Sequence, residues 1–129
     1  SGSLMIYLDT HVVAWLYAGR ISLFPNYVQK MLSREELSIS PIVVLELQYL
    51  FEIGRVSKKG TDVVLELEKR IGLKTCEHTF SDVVENAIKQ DWTRDPFDRI
   101  IVAQASIRSK KVVTKDETIL KHYKHAIWK

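Results

Sequence analysis

Four acidic residues stand where the hydrophobic pattern of the chain changes, and carboxylates gathered in one place can bind a hard cation. Asp9 follows the run LMIYL, Glu46 sits inside PIVVLELQYLFEIG, Asp98 precedes the apolar end of TRDPFDRIIVAQA, and Asp116 follows KKVVT. If they converge without a basic partner they repel one another, and an oxygen-only set of this kind suits Mg2+ or Mn2+. One or two such ions polarise a phosphoryl oxygen, lower the pKa of a bound water and stabilise the leaving oxygen of an in-line displacement. That chemistry cleaves phosphodiesters.

Each acid also has a plainer reading. Asp9 and Asp116 each end a strand-like run, where Asp is a favoured cap for the next helix, so capping and function both stay open for them. Glu46 has Ile42, Val43, Tyr49 and Leu50 three or four residues away, whereas Gln48, Glu52 and Arg55 mark a polar face. It should point towards the core, where a carboxylate needs a salt bridge, a hydrogen-bond donor or a wet cleft. Asp95 reads as a helix cap before Pro96, with Asp98 in the first turn, where the helix dipole favours negative charge by about 0.3–1 kcal/mol. Capping accounts for Asp95. It accounts less well for Asp98, since a capping box would place Glu or Gln there and Asp98 leads into a buried-looking IIVAQA.

Other constellations are weaker. Cys76, Glu77 and His78 are adjacent on a strand and alternate faces, with no fourth ligand near. His11 either lines the cleft, lies on the surface or packs on its helix. Ser40 precedes Pro41 as a cap, and His122 and His125 lie in a basic tail, so a Ser-His-Asp triad has no support. Trp15, Tyr17, Tyr49 and Phe51 are expected mostly in the core.

The elements that must position the acids follow from periodicity. LMIYL, ELSIS, GLKTCE, KKVVT and AIWK read as strands. Helices are expected from His11 to Gly19, from Pro25 through Leu32, over PIVVLELQYLFEIG, and over 61–71, 81–90, 96–109 and 117–122. Alternating strands and helices predict an α/β fold, a parallel sheet with helices on both faces. In such a sheet functional groups collect beyond the carboxyl ends of the strands, where strand order reverses.

Length and composition allow one domain, with 129 residues of which 46% are apolar and 27% charged. The opening SGSL reads as an expression scar (1–4), leaving 5–129 as a single domain. No apolar run reaches the roughly 18 residues that would span a bilayer, and no signal-peptide pattern opens the chain. A lone Cys76 agrees with a reducing compartment, so a cytoplasmic location is expected. A net charge of +3 is compatible with a polyanionic partner but does not demand one.

The order LDT, LEL, DPFDRIIVAQA and VVTKD resembles the PIN domain family, especially the ribonuclease toxins of VapBC toxin-antitoxin pairs, over nearly the whole chain from Met5. The family's four acids fall on Asp9, Glu46, Asp98 and Asp116, the third within a D-x-x-I-x-A-x-A helix start. Thr10 and Thr114 match hydroxyl residues that accompany the first and last acids, and Asp95 is a supporting neighbour. Gln104 stands where many relatives carry another small or polar residue. The resemblance implies a three-layer PIN-like fold with four to five parallel strands, Mg2+ or Mn2+ at the acids, and hydrolysis of single-stranded or loop RNA. It also implies a homodimer silenced by a cognate antitoxin; no membrane partner is expected, since no apolar run is long enough to span a bilayer. A catalytically silent PIN-like RNA- or protein-binding module is the alternative. A receiver-like phospho-acceptor domain would want paired acids after the first strand, where this chain has Asp9, Thr10 and His11.

Overall fold

The computed structural model describes residues 4–129, so Ser1, Gly2 and Ser3 of the expected scar lie outside the described residues. The strands are β1 (Met5–Leu8), β2 (Glu36–Ile39), β3 (Lys74–Thr75), β4 (Val112–Val113) and β5 (Ala126–Ile127), in the order β3-β2-β1-β4-β5. Every pairing is parallel. Around them run α1 (Thr10–Tyr17), α2 (Asn26–Arg34), α3 (Pro41–Glu52), α4 (Gly60–Ile71), α5 (Phe80–Lys89), α6 (Pro96–Ser106) and α7 (Glu117–His122). The chain leaves central β1 towards β3 and then returns to β4 on the other side. Right-handed crossovers in opposite directions put helices on both faces, as the alternation predicts. Ile6, Tyr7 and Leu8 are accordingly all buried, since a strand covered on both sides needs apolar residues at every position.

Local chemistry starts and stops these elements. Ser40 accepts a hydrogen bond from the Ile42 amide (3.3 Å) and Pro41 takes the first helical position of α3, as expected. The α4 helix ends on Gly72 in the left-handed region at φ 69°. Where α4 begins, it presses on α3. A Cβ on Gly60 would collide with the Val44 carbonyl oxygen and lie 2.8 Å from the Gln48 amide nitrogen, both backbone atoms that cannot swing away. Gly60→Ala is therefore expected to destabilise the protein by about 1–3 kcal/mol. A thermal melt would show this as a fall of several degrees; an unchanged curve would mean that the two helices separate freely.

Three expectations need correction. The strands read as GLKTCE and KKVVT shorten to two residues each, because pairing with β2 and β1 sets their ends rather than propensity. The helix expected to reach Ser109 stops at Ser106, where the Lys110 amide bonds back to the Ala105 carbonyl (2.9 Å) and Ser109 takes φ 54°. A serine in that conformation offers no glycine-like stop signal. The aromatic residues are less buried than expected: Trp15, Tyr17 and Phe51 are half-buried, and Tyr49 is 49% exposed. Tyr49 lies just off the buried stripe Val43, Glu46, Leu47 and Leu50, and stacks on Phe97 at 6.2 Å.

Candidate functional site

The sheet's strand order reverses at β1 and β4, and Asp9 and Thr114 follow those two strands directly. Parallel pairing continues one step past each strand: the Asp9 amide bonds to the Val113 carbonyl (3.0 Å) and the Thr114 amide to that of Ile127 (3.0 Å). This fixes Thr114 beside Asp9. Its hydroxyl donates to Asp9 Oδ2 (2.7 Å) and accepts the Asp116 amide (3.0 Å), joining the first and last acids through one side chain. On the other side the Thr10 amide donates to Asp9 Oδ1 (2.7 Å), while the Thr10 hydroxyl donates to Glu46 Oε1 (2.5 Å). The two threonines thus join Asp9, Glu46 and Asp116 into one network.

The capping reading of Asp9 and Asp116 is met. Asp9 is the N-cap of α1, and Asp116 caps α7 by accepting from the Ile119 amide (2.9 Å). Capping fixes each carboxylate and does not remove it from the cleft, since a carboxylate oxygen has a second lone pair.

Glu46 points inward and is 8% exposed. A structural salt bridge does not explain it, because none of the ion pairs among the described residues engages Glu46. Burial pushes its carboxyl above the ordinary range; the Thr10 hydrogen bond partly offsets this, and the Asp9 charge adds to it. Asp9 is likewise raised by burial, against the pull of the Thr114 and Thr10 donors.

Asp98 is placed by the start of α6. Asp95 caps that helix, its Oδ1 accepting from the amides of Phe97 (2.9 Å) and Asp98 (3.3 Å). Arg99 then ties the helix to the end of α5: its guanidinium donates to the carbonyls of Ala87 (3.1 Å) and Ile88 (3.2 Å). Among the described residues no donor bonds to the half-buried Asp98 carboxyl. Burial, followed by the charges of Asp9, Asp95, Asp116 and Glu46, pushes it up to about 8. All four candidate acids therefore share one electrostatic environment, with exposed Asp95 at its margin.

The donor set fits a hard divalent cation in chemistry: oxygen only, like-charged, and without a side-chain cation of its own among the ion pairs. Among the described residues no three His, Cys, Asp or Glu side chains form a group that could hold a metal ion as they stand.

Several residues fall elsewhere. Cys76 contacts Met5 Sδ (3.3 Å) and Ser38 Oγ (3.4 Å), and its carbonyl accepts from Gln104 Nε2. Gln104, at the point of departure noted in the sequence, is thus a buried fastener between α6 and the exit of β3. Glu77 and His78 line a separate cavity with Phe80. His122 stacks on Trp92 at 5.2 Å and His125 lies edge-on to Tyr123. Sequence reasoning missed Arg99, whose only signal was a basic residue following Asp98. It also missed Trp128, which borders a cavity beside Asp9 and Asp116.

The family model described as PIN domain matches residues 6–125. No curated protein matches the chain in sequence. Among solved structures, the chain is similar to one titled VapBC2 from Rickettsia felis bound to a DNA fragment from their promoter, at 16% identity and a TM-score of 0.67. That match covers 96% of this chain and 96% of the other. A toxin-antitoxin complex from Klebsiella pneumoniae is similar at 13% identity and a TM-score of 0.60, covering 95% of each chain. These likenesses are of fold.

Proposed function

We propose that this chain, which belongs to the PIN domain family, is a cation-dependent endoribonuclease and the toxin of a type II toxin-antitoxin pair, acting in the cytoplasm. The observation that carries the reading is the shared electrostatic environment of Asp9, Glu46, Asp98 and Asp116, none of which joins an ion pair among the described residues, with the Asp98 carboxyl pushed up to about 8. Such a cluster favours a ligand that brings positive charge. The four acids would hold Mg2+ or Mn2+, which when bound polarises a phosphoryl oxygen and lowers the pKa of water. Thr10 and Thr114 hold Asp9, Glu46 and Asp116 in register. Arg99 and Asp95 fix the start of α6 and so aim Asp98.

The partners follow the same reasoning. An antitoxin segment that silences the site would present Arg, whose planar fork engages two carboxylates at once. Self-association is supported by α5, where Phe80, Val84 and Ile88 form an exposed apolar stripe at four-residue spacing.

The test is cleavage of an unstructured RNA by the purified chain. Products should form with Mn2+ or Mg2+ and vanish in EDTA. Equal cleavage in EDTA would overturn cation dependence. No cleavage under any condition would leave a silent binding module.

A further inference from the structure

We infer that the cavity between α1, α7 and the end of β5 is a nucleobase subsite, which takes one unpaired nucleotide of the substrate beside the bond that is cut. The inference rests on the ribonuclease reading above and gives it a substrate-binding surface. The cavity has a volume of about 710 Å³, within the range of small-ligand sites, and Asp9 and Asp116 form part of its wall. Whatever fills it lies against two of the four acids.

The remaining wall favours a flat ring attached to a phosphate. His11 and Trp15 are one helical turn apart on α1 with ring centres 6.3 Å apart. Trp128, just beyond β5, lies 6.1 Å from Trp15 and meets Phe24 edge-on at 5.6 Å and 81°. Phe24 is buried, so this packing positions Trp128 while leaving it half-exposed along the cavity. Preordered aromatic surfaces are what unpaired bases stack on, and a duplex would keep its base faces hidden. Lys115 and Lys129 are exposed at the same cavity and supply charge for phosphates flanking the stacked base. Glu117 also lines it and is the acid facing those lysines there, outside the cluster of four. An apolar peptide segment would find the rings but leave both lysines without an anion.

The subsite is tested by Trp128→Ala and Trp128→Phe, each checked by thermal melt for folding. For an unstructured RNA, Trp128→Ala should raise KM about tenfold with kcat nearly unchanged, and Trp128→Phe should recover most of the loss. A second arm reads binding without turnover. An oligoribonucleotide carrying 2-aminopurine is mixed with Glu46→Gln protein in Mg2+, and stacking on Trp128 should quench its fluorescence; adding Trp128→Ala should abolish the quenching. Normal cleavage with unchanged KM and unchanged quenching in the Trp128→Ala proteins would overturn the subsite and leave the ribonuclease reading standing. Quenching that depends on Trp128 in a protein that cuts no RNA would do the reverse.

Discussion

Glu46→Gln should reduce cation-dependent RNA cleavage by at least about a hundredfold, beyond what loss of an outer-shell partner of a metal site typically costs. The substitution keeps the shape of the side chain, and its amide oxygen can still accept the Thr10 hydroxyl that now bonds to Glu46 Oε1 at 2.5 Å. Folding should survive, because the charge removed is one that burial and the neighbouring Asp9 already disfavour. The melting temperature should therefore stay level or rise while activity disappears. Full activity in a folded variant would remove Glu46 from the site.

Asp98→Asn should separate stability from function in a pH-dependent way. The folded protein holds the Asp98 proton up to about 8, whereas the ordinary value is 3.8, so between these limits the unfolded chain binds fewer protons than the folded one. Stability associated with this group is fully present below the ordinary value and is lost as pH rises through about 8. Without metal, the Asn variant should consequently gain on the wild type as pH is raised from 5 to 8.5, and melt higher at the upper end. Relief of repulsion there outweighs the helix-dipole contribution, about 0.3–1 kcal/mol. With Mn2+ the order should reverse, since a ligand bound only by the folded state at a hundredfold excess over Kd contributes about 2.7 kcal/mol. Asp95→Asn is the internal control. Asn caps about as well as Asp, so most activity and the full Mn2+ shift should remain. An Asp98→Asn protein that melts lower in EDTA at pH 8 and keeps the wild-type Mn2+ shift would reduce Asp98 to a helix-start residue.

Much of this arrangement was legible from periodicity. The inward turn of Glu46 followed from its apolar neighbours at helical spacing, and the alternation of strands and helices gave the parallel sheet that puts Asp9 and Asp116 beyond the carboxyl ends of its inner strands. What the sequence could not convey was the connection between distant segments. Thr114 lies 105 positions from Asp9, and its hydrogen bond to that carboxylate depends on β1 pairing with β4. Arg99 was hidden for a similar reason. Its partners are carbonyls at the end of another helix, and backbone acceptors leave no trace in residue type. Trp128 lay in a stretch dominated by basic residues, where the pattern suggested an edge strand and nothing about which cavity it would border.

The most direct test of the account is a Mn2+ titration of the EDTA-treated chain, followed by loss of the free-ion signal in electron paramagnetic resonance. The account predicts that the folded protein removes Mn2+ from solution, that Asp98→Asn and Glu46→Gln each weaken this uptake strongly, and that Asp95→Asn does not. A free-ion signal unchanged by wild-type protein, or uptake indifferent to Glu46 and Asp98, would contradict a cation site built from the four acids.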